Sequence, residues 1–396
     1  MKKFITILCL AFPAICASAQ TFYVDATNSE MRRPAHKLES SRNEVILPEV
    51  NGYTVYKADL HTHTIFSDGQ VTPQFRVSEA WEDGLDIIAV TEHLEWRPNE
   101  DMLVEYTRKY NGNTHTKAIN NRIGDKPLNE YGIMVDLNTC VNISRPLAEK
   151  NGMLLIPGVE ITRNGTKVGH FNALFTTDNN TIFDPDPVQA VRNAKAQGAL
   201  VMHNHPGWNK TSLDFTPTEA TIYAEGLVDG VEVMNGDEFY PGVIDRAHEY
   251  GLFLSANTDV HASAARDYTI LGYRRPMTLI FAKEFTLEAV RDALENQRTL
   301  TYGFEAVCGD EQLLQDFFAA SVKVAVQRKS SRNIHLLVTN MSSITYVVSQ
   351  NGENPKTLSP FHTVWFPVAL DAETLDLKVE NMYHSKDGHP VVSLSF

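Results

Sequence analysis

The chain has 396 residues, 43% of them hydrophobic, and a formal charge of −14. That composition is ordinary for a globular protein, and the length suits one large domain plus a small one, or two medium ones. The acidic balance repels polyphosphate backbones and argues against long nucleic acid as the main partner.

The first element is a leader. Lys2 and Lys3 open it, an apolar run too short for a membrane span follows, and Ala17-Ser18-Ala19 supplies a cleavage pattern, so residues 1–19 read as a signal peptide. Leu8 and Ile15, which precede Cys9 and Cys16, do not suit a lipobox. The mature chain is expected to be soluble and periplasmic or secreted, without a membrane span. Loss of Lys2 and Lys3 takes its charge from −14 to −16. Cys140 and Cys308 remain; a disulfide is permitted in that compartment, and two buried thiols fit equally well.

After an N-terminal segment (20–52), residues 53–309 alternate between strand and helix patterns. "TVYKADLHT", "LDIIAVTEH", "MLLIPGVEIT", "HFNALFTT", "ALVMHNHP", "VDGVEVMNG", "LFLSANTDVHA" and "MTLIFAKE" read as strands. "TPQFRVSEAWEDG", "RPLAEKNG", "DPVQAVRNAKAQG", "GVIDRAHEYG" and "TLEAVRDALENQ" read as helices. Repeated strand-helix units imply an α/β fold with a parallel sheet, and their number favours a closed barrel. Residues 94–140 interrupt the rhythm with a polar, lid-like insertion. Residues 310–396 alternate with period two between turn signals such as Asn351-Gly352, and predict an all-β, immunoglobulin-like sandwich.

The polar clusters fall at the C-terminal ends of the expected strands: His61, His63 and Asp68; His93; Glu160; His170; His205; Asp259 and His261. In a barrel those ends share one mouth. His61 and His63 lie two apart on a strand and face the same side, and Asp259 and His261 repeat that spacing. Imidazoles and carboxylates gathered without a cation would leave like charges in repulsion. With one they make a site for zinc, manganese or iron.

The segments "DLHTHTIFSDG", "TEH", "GVEI", "HP" and "TDVH" resemble, in order, the motifs of the PHP (polymerase and histidinol phosphatase) superfamily, over Tyr53 to Phe304. The resemblance implies a distorted (β/α)7 barrel and up to three divalent metals. It places the first ion on His61, His63, Glu160 and Asp259. The second goes on Glu160, His170 and His205, with Glu160 bridging, and the third on Asp68, His93 and His261. Glu92 stands where the family often has Asp, and is expected to support the ligands. His203 could trade places with His205, which the His-Pro pair favours. Leader, barrel and β-module together also resemble exported, Sphingobium-type organophosphate phosphodiesterases.

The expected activity is hydrolysis of a small phosphate ester, most readily a diester, by a metal-bridging hydroxide, with Glu160 and Asp259 at the reacting centre. His203 is the expected leaving-group acid, with orientation of a ligand as its alternative role. Arg163, and Arg274 or Arg275, are expected to grip phosphate. Alternatives are a phosphomonoesterase, a nucleotide or exonuclease-type hydrolase, an amidohydrolase-like enzyme, and a non-catalytic metal protein with a binding β-module. Oligomeric state is left open.

Overall fold

The computed structural model describes residues 23–25, 28–34, 41–103, 135–162 and 167–396. It divides after Ser41. In the first unit β1 (Tyr23–Asp25) pairs antiparallel with β2 (Arg32–Pro34). The expected leader, 1–19, lies outside the described residues, as does 104–134 of the lid-like insertion.

The second unit begins with β3 (Thr54–Asp59), α1 (Pro73–Glu82), β4 (Ile87–Val90), α2 (Thr139–Lys150), β5 (Leu154–Thr162), β6 (His170–Leu174), α3 (Pro187–Ala196) and β7 (Leu200–Asn204). It continues with α4 (Pro217–Ala224), β8 (Gly230–Asn235), β9 (Glu238–Phe239), α5 (Gly242–Tyr250), β10 (Phe253–Asn257), α6 (Ala264–Asp267), β11 (Met277–Ala282), α7 (Leu287–Glu295), β12 (Thr299–Gly303) and β13 (Ala306–Gly309). Helix starts follow from capping chemistry. Thr72, Asp186 and Thr216 each accept a backbone N–H of the first turn, and a proline follows at the first helical position. Among the described residues no helix is long and apolar enough to cross a membrane.

The large sheet has the order β10-β8-β7-β6-β5-β4-β3-β11-β12-β13. It is not uniformly parallel, as the strand-helix rhythm had suggested. The β3/β4/β5 and β7/β8/β10 neighbours are parallel, but β6 runs antiparallel to β5 and β7, and β11 antiparallel to β3 and β12. Residues 163–169 are too few for the crossover a parallel return needs.

The sheet curls. A bridge between Thr62 and Val260 joins the segments beyond β3 and β10, which lie far apart in sheet order. Asp259 N–H donates to the His61 carbonyl at 2.9 Å and His63 N–H to that of Val260 at 3.2 Å. Ala58, Ala89, Ile156, Met202 and Phe253 belong to one buried cluster between these strands. Gly230 is required there, because any side chain on it would collide with the Phe253 ring.

The C-terminal region opens on a helix that alternation did not announce, α8 (Glu311–Ser321), capped by Asp310. Then follow β14 (Val322–Lys329), β15 (Asn333–Asn340), β16 (Tyr346–Gln350), β17 (Glu353–Leu358), β18 (Thr363–Ala369), β19 (Thr374–Val379), β20 (Met382–Tyr383) and β21 (Val391–Ser395). They form sheets of order β14-β15-β18 and β17-β16-β19-β21, whose buried faces share one core. That core is continuous with part of the large sheet's. Phe281 meets Phe317 with ring centroids 6.1 Å apart, and Phe318 meets Tyr346 at 5.0 Å. β20 adds directly to the large sheet beside β13.

Candidate metal centre

All nine expected ligands are described, and they converge where β3, β4, β5, β7 and β10 end. His61 Nε2 lies 3.2 Å from Asp259 Oδ1 and 3.6 Å from Glu160 Oε2. His63 Nε2 lies 2.9 Å and 3.5 Å from the same two oxygens. Asp68 Oδ1 is 3.3 Å from His93 Nε2 and 3.1 Å from His261 Nε2. Glu160 reaches in both directions: Oε2 is 2.6 Å from His93 Nδ1, while Oε1 is 3.1 Å from His170 Nδ1 and 3.7 Å from His205 Nε2. Three donor groups have metal-binding spacing: His63, Asp68, His93 and His261; His61, His63 and Asp259; His61, Glu160 and His205. These groups share His61 and His63, whereas His170 stands beside Glu160 and outside all three.

The donor chemistry fits cations. His61 Nε2, His63 Nε2, Asp68 Oδ1 and Glu160 Oε2 are buried and make no hydrogen bond among the described residues. Four such atoms aimed at one another would be costly if nothing lay between them. Zinc, manganese and iron all accept these ligands. Electrostatics point the same way. Burial opposes a charge on His61, yet Asp259, Glu232 and Glu160 hold its pKa well above the usual value. Burial likewise works against charge on His93, and Glu160 and Asp68 raise it to about 10. Burial would raise Glu160, but His93, His61 and His170 keep it well below the usual carboxylate range. The carboxylates demand positive charge nearby.

The supporting groups are mostly buried polar residues. Glu232, in the middle of β8, went unnoticed in the sequence. Its Oε1 accepts from His61 Nδ1 at 2.9 Å, and its Oε2 accepts the His205 backbone N–H at 2.7 Å. This turns His61 Nε2 toward the centre, as a carboxylate partner does for ligating imidazoles. A lone glutamate in the apolar run "VEVMN" was the available signal. Glu92 accepts Ser67 Oγ–H at 2.6 Å and Thr64 N–H at 3.2 Å, and so braces the loop carrying His63 and Asp68. The Cys140 thiol donates to it at 3.2 Å, and Cys140 and Cys308 are both free. Asn204 Nδ2 donates to Glu160 Oε1 at 3.1 Å and fixes that carboxylate's orientation.

His203 is placed otherwise than expected, and the acid role assigned to it needs correction. Its ring stacks on Phe171 at 4.8 Å, with Nδ1 3.0 Å from Tyr223 Oη and Nε2 3.2 Å from Glu219. Burial pushes its pKa down to about 4. Strand alternation puts Asn204 toward the centre and His203 away from it. His205 turns inward only because its backbone is left-handed, with φ +26°. The arginines also differ. Arg275 is buried, with Asp59 Oδ2 at 2.7 Å and Asp83 Oδ2 at 3.1 Å. Arg274 Nη1 donates to the Ser343 carbonyl at 3.2 Å. Both therefore have protein partners, which for Arg275 bury the guanidinium, and Arg163 lies outside the described residues.

A cleft of about 620 Å³ opens beside Asp259 and His261, with Arg266, Tyr268, Tyr273 and Phe304 among its walls. On another flank the exposed Trp208 ring sits 5.5 Å from those of His170 and His205.

No protein-family model and no curated protein matches the chain. Among solved structures, one from Bacteroides vulgatus is described as a two-domain protein containing a predicted PHP-like metal-dependent phosphoesterase. It is 32% identical, the match covers 90% of this chain and 100% of that one, and the TM-score is 0.78. A lesion-specific endonuclease from Pyrococcus furiosus is 16% identical over 65% of this chain and 59% of its own, with a TM-score of 0.38. An amidohydrolase from Chromobacterium violaceum is 15% identical over 53% and 89%, with a TM-score of 0.34. The full-length likeness at 32% identity shows that this chain belongs to the family of two-domain, PHP-like metal-dependent phosphoesterases.

Proposed function

We propose that the protein is an exported metal-dependent phosphoester hydrolase that favours small phosphate diesters. The observation that carries the reading is the convergence of buried ligating atoms of His61, His63, Asp68 and Glu160 at the strand ends, at metal-binding spacing. Three donor groups support a centre of up to three ions. Divalent cations held there supply Lewis-acid charge to a phosphoryl group and make water a nucleophile near neutral pH.

The chain's own residues arrange that chemistry. Glu232 holds the His61 proton on Nδ1 and leaves Nε2 to ligate. Asp259 Oδ1 lies against both His61 and His63, and Glu160 spans from His93 to His205. Arg266 lines the cleft beside Asp259 and is the cation that supports binding of a phosphoryl oxygen. Its Nε pairs with Asp267 at 2.8 Å, and its terminal nitrogens have no partner among the described residues. Support for a diester comes from the cleft, which has room for an organic group beside Asp259 and His261, and from the exposed Trp208 ring on the other flank, which offers a face to a second one. The leader pattern of residues 1–19 supports export.

The test is a paired assay on manganese- or zinc-loaded protein with bis(p-nitrophenyl) phosphate and p-nitrophenyl phosphate, with Glu160→Gln and Asp259→Asn as controls. Diester turnover lost in both variants is expected. Faster monoester turnover would replace the diester reading, and metal-loaded protein inactive on both would refute the function.

A further inference from the structure

The cleft beside the metal centre has two unlike sets of lining residues. Asp259 and His261 belong to the metal centre. Leu271, Tyr273 and Phe304 are apolar or aromatic and 63%, 53% and 36% exposed. Tyr273 and Phe304 meet edge to face with centroids 5.8 Å apart. Exposed aromatic groups gathered beside a reactive centre mark a surface that binds something.

The wall is also held in place. Phe304 and Glu305 form a two-residue turn between β12 and β13 with φ of +50° and +63°, a conformation that normally selects Asn-Gly. Asn381 of the C-terminal region keeps that turn in shape: its Nδ2 donates to the Glu305 carbonyl at 2.5 Å, and its carbonyl accepts Val307 N–H at 3.0 Å. The segment bearing Tyr273 is tied to the same region through Arg274 and Ser343. Charge narrows the occupant. Away from the cations at Asp259 and His261, the cleft's charged side chains are Asp237 and Asp267 against Arg266, so a second anionic group beyond the metal-bound phosphoryl would meet more acidic than basic side chains.

We infer that this cleft is a subsite for an uncharged aromatic group of the phosphate ester, with Tyr273 and Phe304 as its specificity-determining wall. The inference rests on the phosphoesterase reading of the adjoining centre. It also gives the C-terminal region a role, which is to brace the two segments that carry the wall.

The experiment uses metal-loaded protein and two non-hydrolysable probes, phenylphosphonate and methylphosphonate, with binding followed by calorimetry. Wild-type protein is expected to bind the phenyl probe about tenfold tighter, equivalent to about 1.4 kcal/mol. Phe304→Asn, a residue that tolerates left-handed backbone, and Tyr273→Ala should each reduce that preference to about twofold or less, with methylphosphonate affinity kept. Wild-type protein without an aryl preference overturns the inference. So do variants that retain the preference, or that lose both probes alike. Aryl preference in a protein that hydrolyses no phosphoester would sink the proposed function and leave the subsite; hydrolysis without aryl preference would do the reverse.

Discussion

Glu232→Gln tests how the metal ligands are held. The Glu232 side chain is fully buried and accepts four hydrogen bonds. His61 Nδ1 and Asn257 Nδ2 reach Oε1, each at 2.9 Å, while His205 N–H and Asn235 Nδ2 reach Oε2 at 2.7 Å and 2.8 Å. A carboxamide has the same shape but only one acceptor oxygen, so in either orientation its NH2 faces two donors. If the NH2 meets His61, the imidazole must move its proton to Nε2, the nitrogen 3.2 Å from Asp259, and is lost as a ligand. If it meets the His205 N–H instead, that donor has no alternative role and the turn carrying His205 must shift. The expected cost is about 1–3 kcal/mol of apoprotein stability, from donors left unsatisfied. Metal affinity should fall by about 10–100-fold, the usual effect of removing a ligand's partner. Competition with a chelator measures the affinity, and urea unfolding of the metal-free protein measures the stability separately. Wild-type metal affinity in Glu232→Gln would refute the reasoning.

Two further outcomes are expected. Burial holds His203 at about 4 in the folded protein, against ~6.5 when unfolded. The unfolded chain then binds more protons in that window, so this contribution is full above pH ~6.5 and lost as pH falls toward 4. His203→Phe should flatten the rise in stability with pH; an unchanged dependence of the urea midpoint between these pH values would contradict it. Arg266→Ala should raise KM for phosphate esters roughly tenfold whatever their organic group, as loss of one charge-assisted contact predicts, and a rise confined to aryl esters would assign Arg266 to the wall instead.

The convergence of the candidate ligands was legible because a patterned strand places a histidine or acid at its end by simple position. Alternation failed where the backbone left the strand. His203 and His205 share a face on paper, but left-handed φ at His205 re-aims its side chain, and no residue type announces that turn. Glu232 was missed because one buried acid inside an apolar strand looks like an interruption until its partners are known. The antiparallel β6 was present in the short 163–169 connection, and was overridden by the surrounding strand-helix rhythm. The helix α8 lay in "EQLLQDFFAAS", where Asp310 supplies the cap and Leu314, Phe317, Phe318 and Ser321 the buried stripe, but neighbouring period-two segments masked it.

Two hairpins show where local sequence stops being enough. Asn351-Gly352 joins β16 to β17 with φ of +54° and +72°, and residues of that type adopt such a turn at little cost. Phe304-Glu305 joins β12 to β13 with similar angles and none of that propensity, at roughly 1–3 kcal/mol of strain per residue. Strain of that size persists when surrounding contacts over-determine the backbone, and here those contacts come from Asn381, more than seventy residues downstream. His205 and Asp259 present the same problem at the metal centre. Their left-handed backbones are held by Glu232 accepting the His205 N–H and by the His61 carbonyl accepting the Asp259 N–H. The ligands and the aromatic wall thus depend on the same device, an awkward backbone fixed by distant partners. That dependence joins the C-terminal region to the geometry of the cleft, and the continuous core across α8 packs the same region against the large sheet.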